Sequence, residues 1–220
     1  MPEAVAKTLR YRYTFALTRT AQTEHQHRMH LRILAVVALA FSIPAAHADS
    51  SLATWGKQLF SRTEPAAPFA SGASYKVCFV PNGASCQDLL VDEINNTRRS
   101  LLIQAYSFTS APIASAVKRA KDRGVDVHVI LDKSQVSQRY SSATFLRNAG
   151  IPVVIDTRPA IAHNKIMVFD NASVFTGSFN FTRSAEERNA ENGFLVRGDE
   201  KIVKAYVDNW NERFRVSTPY

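Results

Sequence analysis

The chain has 220 residues, of which 45% are hydrophobic and 21% charged. That apolar content is enough for one buried core with additions. Lys and Arg number 27 against 19 Asp and Glu, for a formal charge of +8, and the two cysteines exclude both a four-cysteine zinc site and a disulfide-dense miniature fold. No apolar run reaches the roughly 20 residues that a membrane-spanning helix needs.

Residues 29–48 read as a secretory signal peptide. Arg28, His30 and Arg32 give a basic flank, residues 33–43 an apolar stretch, Pro44 a break, and Ala46, His47 and Ala48 a small-x-small cleavage site. Residues 1–28 are polar and unperiodic, so translation is expected to start at Met29 and the whole leader, 1–48, to be absent from the mature protein. Residues 49–220 then carry 21 basic and 17 acidic side chains, a net +4, and keep only His128 and His163 of the six histidines. Export predicts a periplasmic or secreted protein with no stable membrane insertion after cleavage. In an oxidising compartment Cys78 and Cys86, which flank the turn signal Pro81, Asn82 and Gly83, are expected to form a disulfide; the alternative is two reduced thiols.

Residues 49–74 are rich in Ala, Ser, Pro and Gly and read as an arm or linker. Within it Leu52, Trp55, Leu59 and Phe60 have the spacing of a short amphipathic helix. A regular pattern follows. Strands are expected at 75–80, 101–107, 125–131, 151–155, 165–169, 173–176 and 193–197. Helices are expected at 86–97, 112–123, 142–148 and 200–214. Pro112 suits a helical first turn, Gly124 and Gly150 serve as stops, and Asp170 and Asn171 form the turn between two strands. Strands alternating with helices make an α/β domain with a mixed sheet.

The chemistry concentrates in residues 162–180, AHNKIMVFDNASVFTGSFN. His163, Lys165 and Asp170 are spaced H-x-K-x4-D, and six residues later come Gly177, Ser178 and Asn180 as G-S-x-N. Strand residues two apart point the same way, so His163 with Lys165, and Ser178 with Asn180 on a neighbouring strand, can converge on one small anion. Asp170 lies five past Lys165, on the other side of the strand or in the turn, and is expected to be structural, as is Gly177.

This pattern resembles the signature of the phospholipase D superfamily, with every position filled. The segments QAYSFTS at 104–110, RGVDV at 123–127, and FNFT at 179–182 followed by AEN at 190–192 are similar to the framework of its small bacterial single-motif endonucleases. The likeness spans about 75–214. It implies the phospholipase D-like fold for residues 75–215, a mixed β-sheet with helices on both faces. It also implies a metal-independent nuclease acting on DNA or RNA, without cofactor, through a covalent phosphohistidine. Two such motifs must face each other in this family, and one is present here, so the resemblance implies a homodimer with the site on its axis. His163 is then nucleophile and, from the partner, general acid. Lys165, Ser178 and Asn180 hold the phosphate oxygens, and Glu191 orients the His163 ring.

Other residues carry two readings. Arg158, Arg183 and Arg188 sit in loops flanking the motif, as nucleic-acid contacts or as solvated charge. Tyr106 and Phe108 line the site or fill the core. His128, on an apolar strand, reads as a core or edge histidine. Glu186 and Glu187 read as solvated. A lipid phosphodiesterase uses the same chemistry in an apolar cleft, and the polar stretch 182–189 favours nucleic acid over it. A binding protein that merely kept the fold is opposed by the complete residue set. Mass spectrometry of the precursor checks the leader: no tryptic peptide ending at Arg19 is expected, and finding one would move the start upstream of Met29.

Overall fold

The computed structural model describes residues 66–220. The leader, the signal peptide and the amphipathic stretch 52–60 lie outside them. The described chain forms strands β1 (Ser74–Val80), β2 (Ser100–Ala105), β3 (Asp126–Asp132), β4 (Val153–Asp156), β5 (Lys165–Phe169), β6 (Ser173–Gly177), β7 (Glu191–Arg197) and β8 (Thr218–Pro219). Its helices are α1 (Cys86–Asn96), α2 (Ala111–Asp122), α3 (Ala143–Asn148), α4 (Arg183–Glu187) and α5 (Glu200–Val216), with a 3-10 turn at Lys133–Val136. Sequence patterning missed that turn, α4, β8 and the first two residues of β7. All are short and polar, and periodicity has no purchase on them.

The eight strands form one mixed sheet in the order β1-β7-β6-β5-β2-β3-β4-β8. β2, β3 and β4 run parallel, while β5 pairs antiparallel with β2 and begins an antiparallel half through β6 and β7 to β1. β5 is buried along its whole length, as its run KIMVF requires of a central strand. The turn after it holds Asp170 and Asn171 at φ 54° and 53°, left-handed values that Asn and Asp tolerate best among side-chain-bearing residues.

Helices cover both faces, as expected. On one, Leu90 and Ile94 of α1, Ile113 and Val117 of α2 and Leu146 of α3 pack over Ile103, Val129, Met167, Phe175 and Leu195. The Cys78–Cys86 disulfide ties β1 to the start of α1 within this core. On the other, α5 lays Val203 and its neighbours over Ile166, Val168 and Val174, and Trp210 over Ile130 and Val154. The Trp210 indole donates to the Ile103 carbonyl at 3.0 Å, and Arg213 forms a forked ion pair at 2.7 Å with Asp156, itself 1% exposed.

One buried group in this layer has no partner. Gln104 on β2 is 1% exposed, and neither its amide nitrogen nor its oxygen is hydrogen-bonded. Its register partners, Ile130 and Ile166, belong to the two clusters beneath α5. An unpaired buried amide costs about 1–3 kcal/mol, and methionine fills a similar volume without it. Gln104→Met is therefore expected to raise the thermal midpoint by several degrees, at about 2–4 °C per kcal/mol. Scanning calorimetry of both proteins is the check, and a lower midpoint would mean that the amide is satisfied.

Candidate active site

Strand direction brings three chain ends to one edge of the sheet. Lys165 at the start of β5 lies opposite Ala105, the last residue of β2, and Gly177 at the end of β6 lies opposite Gly193 near the start of β7. There His163, Lys165, Gly177, Ser178, Asn180 and Glu191 line an open cleft of about 510 Å³. The cleft lies beyond the carboxyl ends of the parallel strands, where α/β sheets place their ligands. A hollow of about 550 Å³ between residues 67–71 and 198–202 contains no histidine and adjoins the far end of β7.

The side chains converge as their spacing predicts, but most of them not from the strands themselves. His163 precedes β5, and Ser178 and Asn180 follow β6, so three of the four polar groups lie just outside the strands. The alternation nevertheless continues past the strand end. Phe179 and Phe181 are fully buried in the core, while Ser178 is exposed and Asn180 half-buried beside the cleft. Backbone bonds extend the sheet: Ser178 and Phe179 N–H donate to Asn192 O at 3.1 and 3.2 Å, and Thr109 and Ser110 N–H to Phe181 O at 2.9 Å each.

Lys165 is 5% exposed. Its ammonium donates to the His163 carbonyl at 3.1 Å and stands 5.1 Å from the centre of the Tyr106 ring. Burial pushes its pKa below the usual lysine value, and the Glu191 carboxylate works against that shift. A phosphate entering the cleft would favour the charged form in the same way. His163 itself is exposed, its ring 4.6 Å from that of Tyr106 and tilted by 58°. Of the two aromatic residues weighed from sequence, Tyr106 thus belongs to the site and Phe108, 0% exposed, to the core. The Asn180 side-chain oxygen is buried without a partner.

Glu191 does not hold the His163 ring within the chain. Its carboxylate accepts the Ser178 hydroxyl at 2.5 Å and the Asn189 amide at 2.9 Å. The cause is strand order: β6 stands between β7 and β5, so Glu191 and the chain entering β5 are two strand spacings apart, roughly 9–10 Å. Ser178 also accepts from Asn192 N–H at 3.1 Å and from the Asn192 amide at 3.3 Å. Neither Asn189 nor Asn192 was expected at the site, although Asn192 lies in the AEN segment; single polar residues at or just before a strand's start give no periodic signal.

Asp170 occupies the turn at the opposite end of β5, where it accepts from the backbone N–H of Arg98, Arg99 and Ser100 at 2.7–3.2 Å. Burial raises its pKa, but these donors and the Arg99 guanidinium outweigh it, and the group titrates below its ordinary value. Two of the three arginines expected in loops belong instead to a helix. Arg183 opens α4 and Arg188 caps it, and Arg183 is 82% exposed yet paired with Glu187 at 2.8 Å. Arg158 alone lies in a loop, exposed between β4 and β5. Glu186 is not simply solvated: it accepts the Gln87 N–H at the start of α1 at 2.9 Å. His128 lies away from the cleft, bonded to Asp126 at 2.9 Å and edge-on to Trp210 and Phe214 of α5.

With this geometry in hand, comparison with known proteins gives the family. Residues 90–214 match the family model described as "Cardiolipin synthase, PLD-like domain". The chain belongs to the phospholipase D superfamily. It is 42% identical to the "Phospholipase D" of Rickettsia prowazekii (strain Madrid E), covering 65% of this chain and 69% of that one. It is 30% identical to the human "Mitochondrial cardiolipin hydrolase", covering 64% of this chain and 56% of the other. Among solved structures it resembles the phospholipase D family member Nuc from Salmonella typhimurium, with a TM-score of 0.64, 35% identity and coverage of 67% of this chain and 98% of that one. The fold of NucT from Helicobacter pylori is also similar, with a TM-score of 0.60, 22% identity and coverage of 67% and 99%. The chain is thus a phosphodiesterase of this superfamily.

Gly177 gives the site its most direct geometric test. Its φ is 152°, rarely adopted by residues with a side chain, and a Cβ there would collide with the Asn192 carbonyl and the Gly193 Cα. Gly177→Ala must move the backbone carrying Ser178 and Asn180, at a cost of about 1–3 kcal/mol. Lower thermal stability and lower phosphodiester hydrolysis are both expected, and unchanged turnover in a folded variant would separate this glycine from the site.

Proposed function

We propose that the chain is a nuclease that hydrolyses DNA or RNA phosphodiester bonds, without a metal ion, at the interface of a homodimer. The observation that carries the reading is the convergence of one imidazole, one buried ammonium, one hydroxyl and one carboxamide on a single open cleft. His163 attacks phosphorus, forming a phosphohistidine and releasing the first alkoxide. A second imidazole donates the proton to that oxygen and then takes one from the water that cleaves the intermediate. Lys165, Ser178 and Asn180 stabilise the charge on the non-bridging oxygens. Ser178 must exchange its bond to Glu191 for one to phosphate, because its single proton serves one acceptor at a time.

The second imidazole is the argument for two copies. Among the described residues the one other histidine is His128, held against α5 and not lining the cleft. A second chain related by a two-fold axis supplies His163 to its partner.

Nucleic acid is preferred as substrate on two grounds. Likeness to Nuc extends over nearly that protein's whole length, and the segment beside the cleft, with α4 in it, is charged and polar. Arg158 and Arg188, exposed and with no ion pair among the described residues, are the better placed of the three arginines to meet phosphates; Arg183 already has Glu187. A lipid phosphodiester is the second reading. The names of the Rickettsia and human relatives favour it, as does Ile161, 55% exposed two residues before His163. Export into an oxidising compartment belongs to the same proposal, and the Cys78–Cys86 disulfide accords with it.

Purified 49–220 protein is expected to cleave plasmid DNA or RNA in excess EDTA, to elute as a dimer, and to lose about 10⁴-fold or more of its turnover in His163→Ala. Cleavage only of phosphatidyl esters would select the lipid reading. Turnover that survives His163→Ala would remove the phosphohistidine altogether.

A further inference from the structure

His163 is carried by a connection with an unusual route. β4 and β5 are consecutive in the chain, yet β3 and β2 lie between them in the sheet. Residues 157–164 must therefore pass over the ends of two strands, about 14 Å from one end to the other. The crossing is fastened as it goes. Where it passes β3, the Asp132 carboxylate takes the Ala162 N–H at 2.7 Å. Where it passes β2, the Tyr106 N–H donates to the Asn164 carbonyl at 2.8 Å. His163 is the single residue between these two fastenings, and its own carbonyl takes the Lys165 ammonium.

We propose that Asp132 is a positioning residue for His163, holding the loop so that the imidazole faces the phosphate. The inference rests on the phosphohistidine reading above. Asp132 is the last residue of β3 and 2% exposed. Its two oxygens divide the work: Oδ1 accepts the Ser134 N–H of the 3-10 turn at 2.9 Å, and Oδ2 accepts Ala162, 30 residues further on. Burial opposes its charge, but the bonds from Ser134 and Ala162 and the nearby Lys133 ammonium outweigh it, so the group titrates below its ordinary value. It is a carboxylate at neutral pH, and charged acceptors form the stronger bonds to backbone N–H. The residue does not line the cleft, so it acts on the chemistry through the crossing it fastens, most directly at Ala162.

A matched control exists in the same molecule. Asp199 is 3% exposed, caps α5 through Ile202 N–H at 3.1 Å and takes a second backbone donor, Ala70, at 2.8 Å. It lies beyond the far end of β7. Asn in either position keeps the shape but sets an NH₂ against a backbone N–H.

Hydrolysis of bis(4-nitrophenyl) phosphate by wild type, Asp132→Asn and Asp199→Asn tests the idea, with the thermal midpoint of each. Asp132→Asn is expected to lower kcat by about tenfold or more with KM within about twofold, as for a misplaced reacting group. Asp199→Asn is expected to lose comparable stability and keep its kcat. Equal losses of kcat in both, or none in Asp132→Asn, would overturn the proposal. Should Asp132→Asn not fold, Ala162→Pro removes the donor and leaves the carboxylate; it must show the same loss of kcat, and full activity would overturn the proposal. Wild-type protein inactive on this diester, on nucleic acid and on phosphatidyl esters would instead refute the functional reading itself.

Discussion

Strand order is the constraint on which the rest depends. Because β5 is inserted beside β2 rather than beside β4, the chain before it must cross the strand ends, and that crossing puts His163 over the middle of the sheet. The same antiparallel insertion turns β6 back toward the crossing and brings β7 to start there. Three separate stretches of chain thus deliver polar side chains to one place. None of them is a flexible loop tip, since each is bonded to its neighbour within a residue or two of the functional group. The cleft is preorganised by the sheet, and electrostatic stabilisation draws its power from preorganisation.

Burial and charge are set against each other in that place. Lys165 is almost wholly withdrawn from water, yet its ammonium has one carbonyl, one aromatic face and a carboxylate nearby. An ammonium held this way lacks much of its hydration, so an arriving anion displaces little water to reach it. Glu191 meanwhile holds the Ser178 hydroxyl. Of the polar groups in the cleft, Lys165 and Ser178 have partners within the chain and the Asn180 oxygen has none, so an anion reaches the first two by exchange of partners.

The sequence made much of this legible for two separate reasons. Long apolar runs such as those of β3 and β5, and capped helices such as α2 and α5, announce themselves by periodicity. The site announced itself through fixed spacing, because residues two apart in extended chain share a side whether or not a ladder continues through them. That is why His163 and Asn180 could be read correctly although both lie just outside the strands. What sequence could not supply was strand order. Without it the resemblance alone assigned Glu191 to the His163 ring, and Asp132, the end of an apolar strand 30 residues before Ala162, gave no sign of holding the chain beside His163. Nor could composition show that Arg183 would be paired with Glu187 along one turn of α4.

The route of the crossing also bears on how such a site can diversify. Upstream of its fastening at Ala162, residues 157, 158, 160 and 161 are exposed, and the Pro159 carbonyl between them takes the Lys133 ammonium at 3.3 Å. Residues can be added or exchanged on that stretch while the anchors on β3 and β2 keep the imidazole where it is. The imidazole and the exposed outer half are therefore mechanically separate within one connection of eight residues. A scaffold divided in this way can be refitted from one phosphodiester to another by insertions on its outer half, with the chemistry inherited intact.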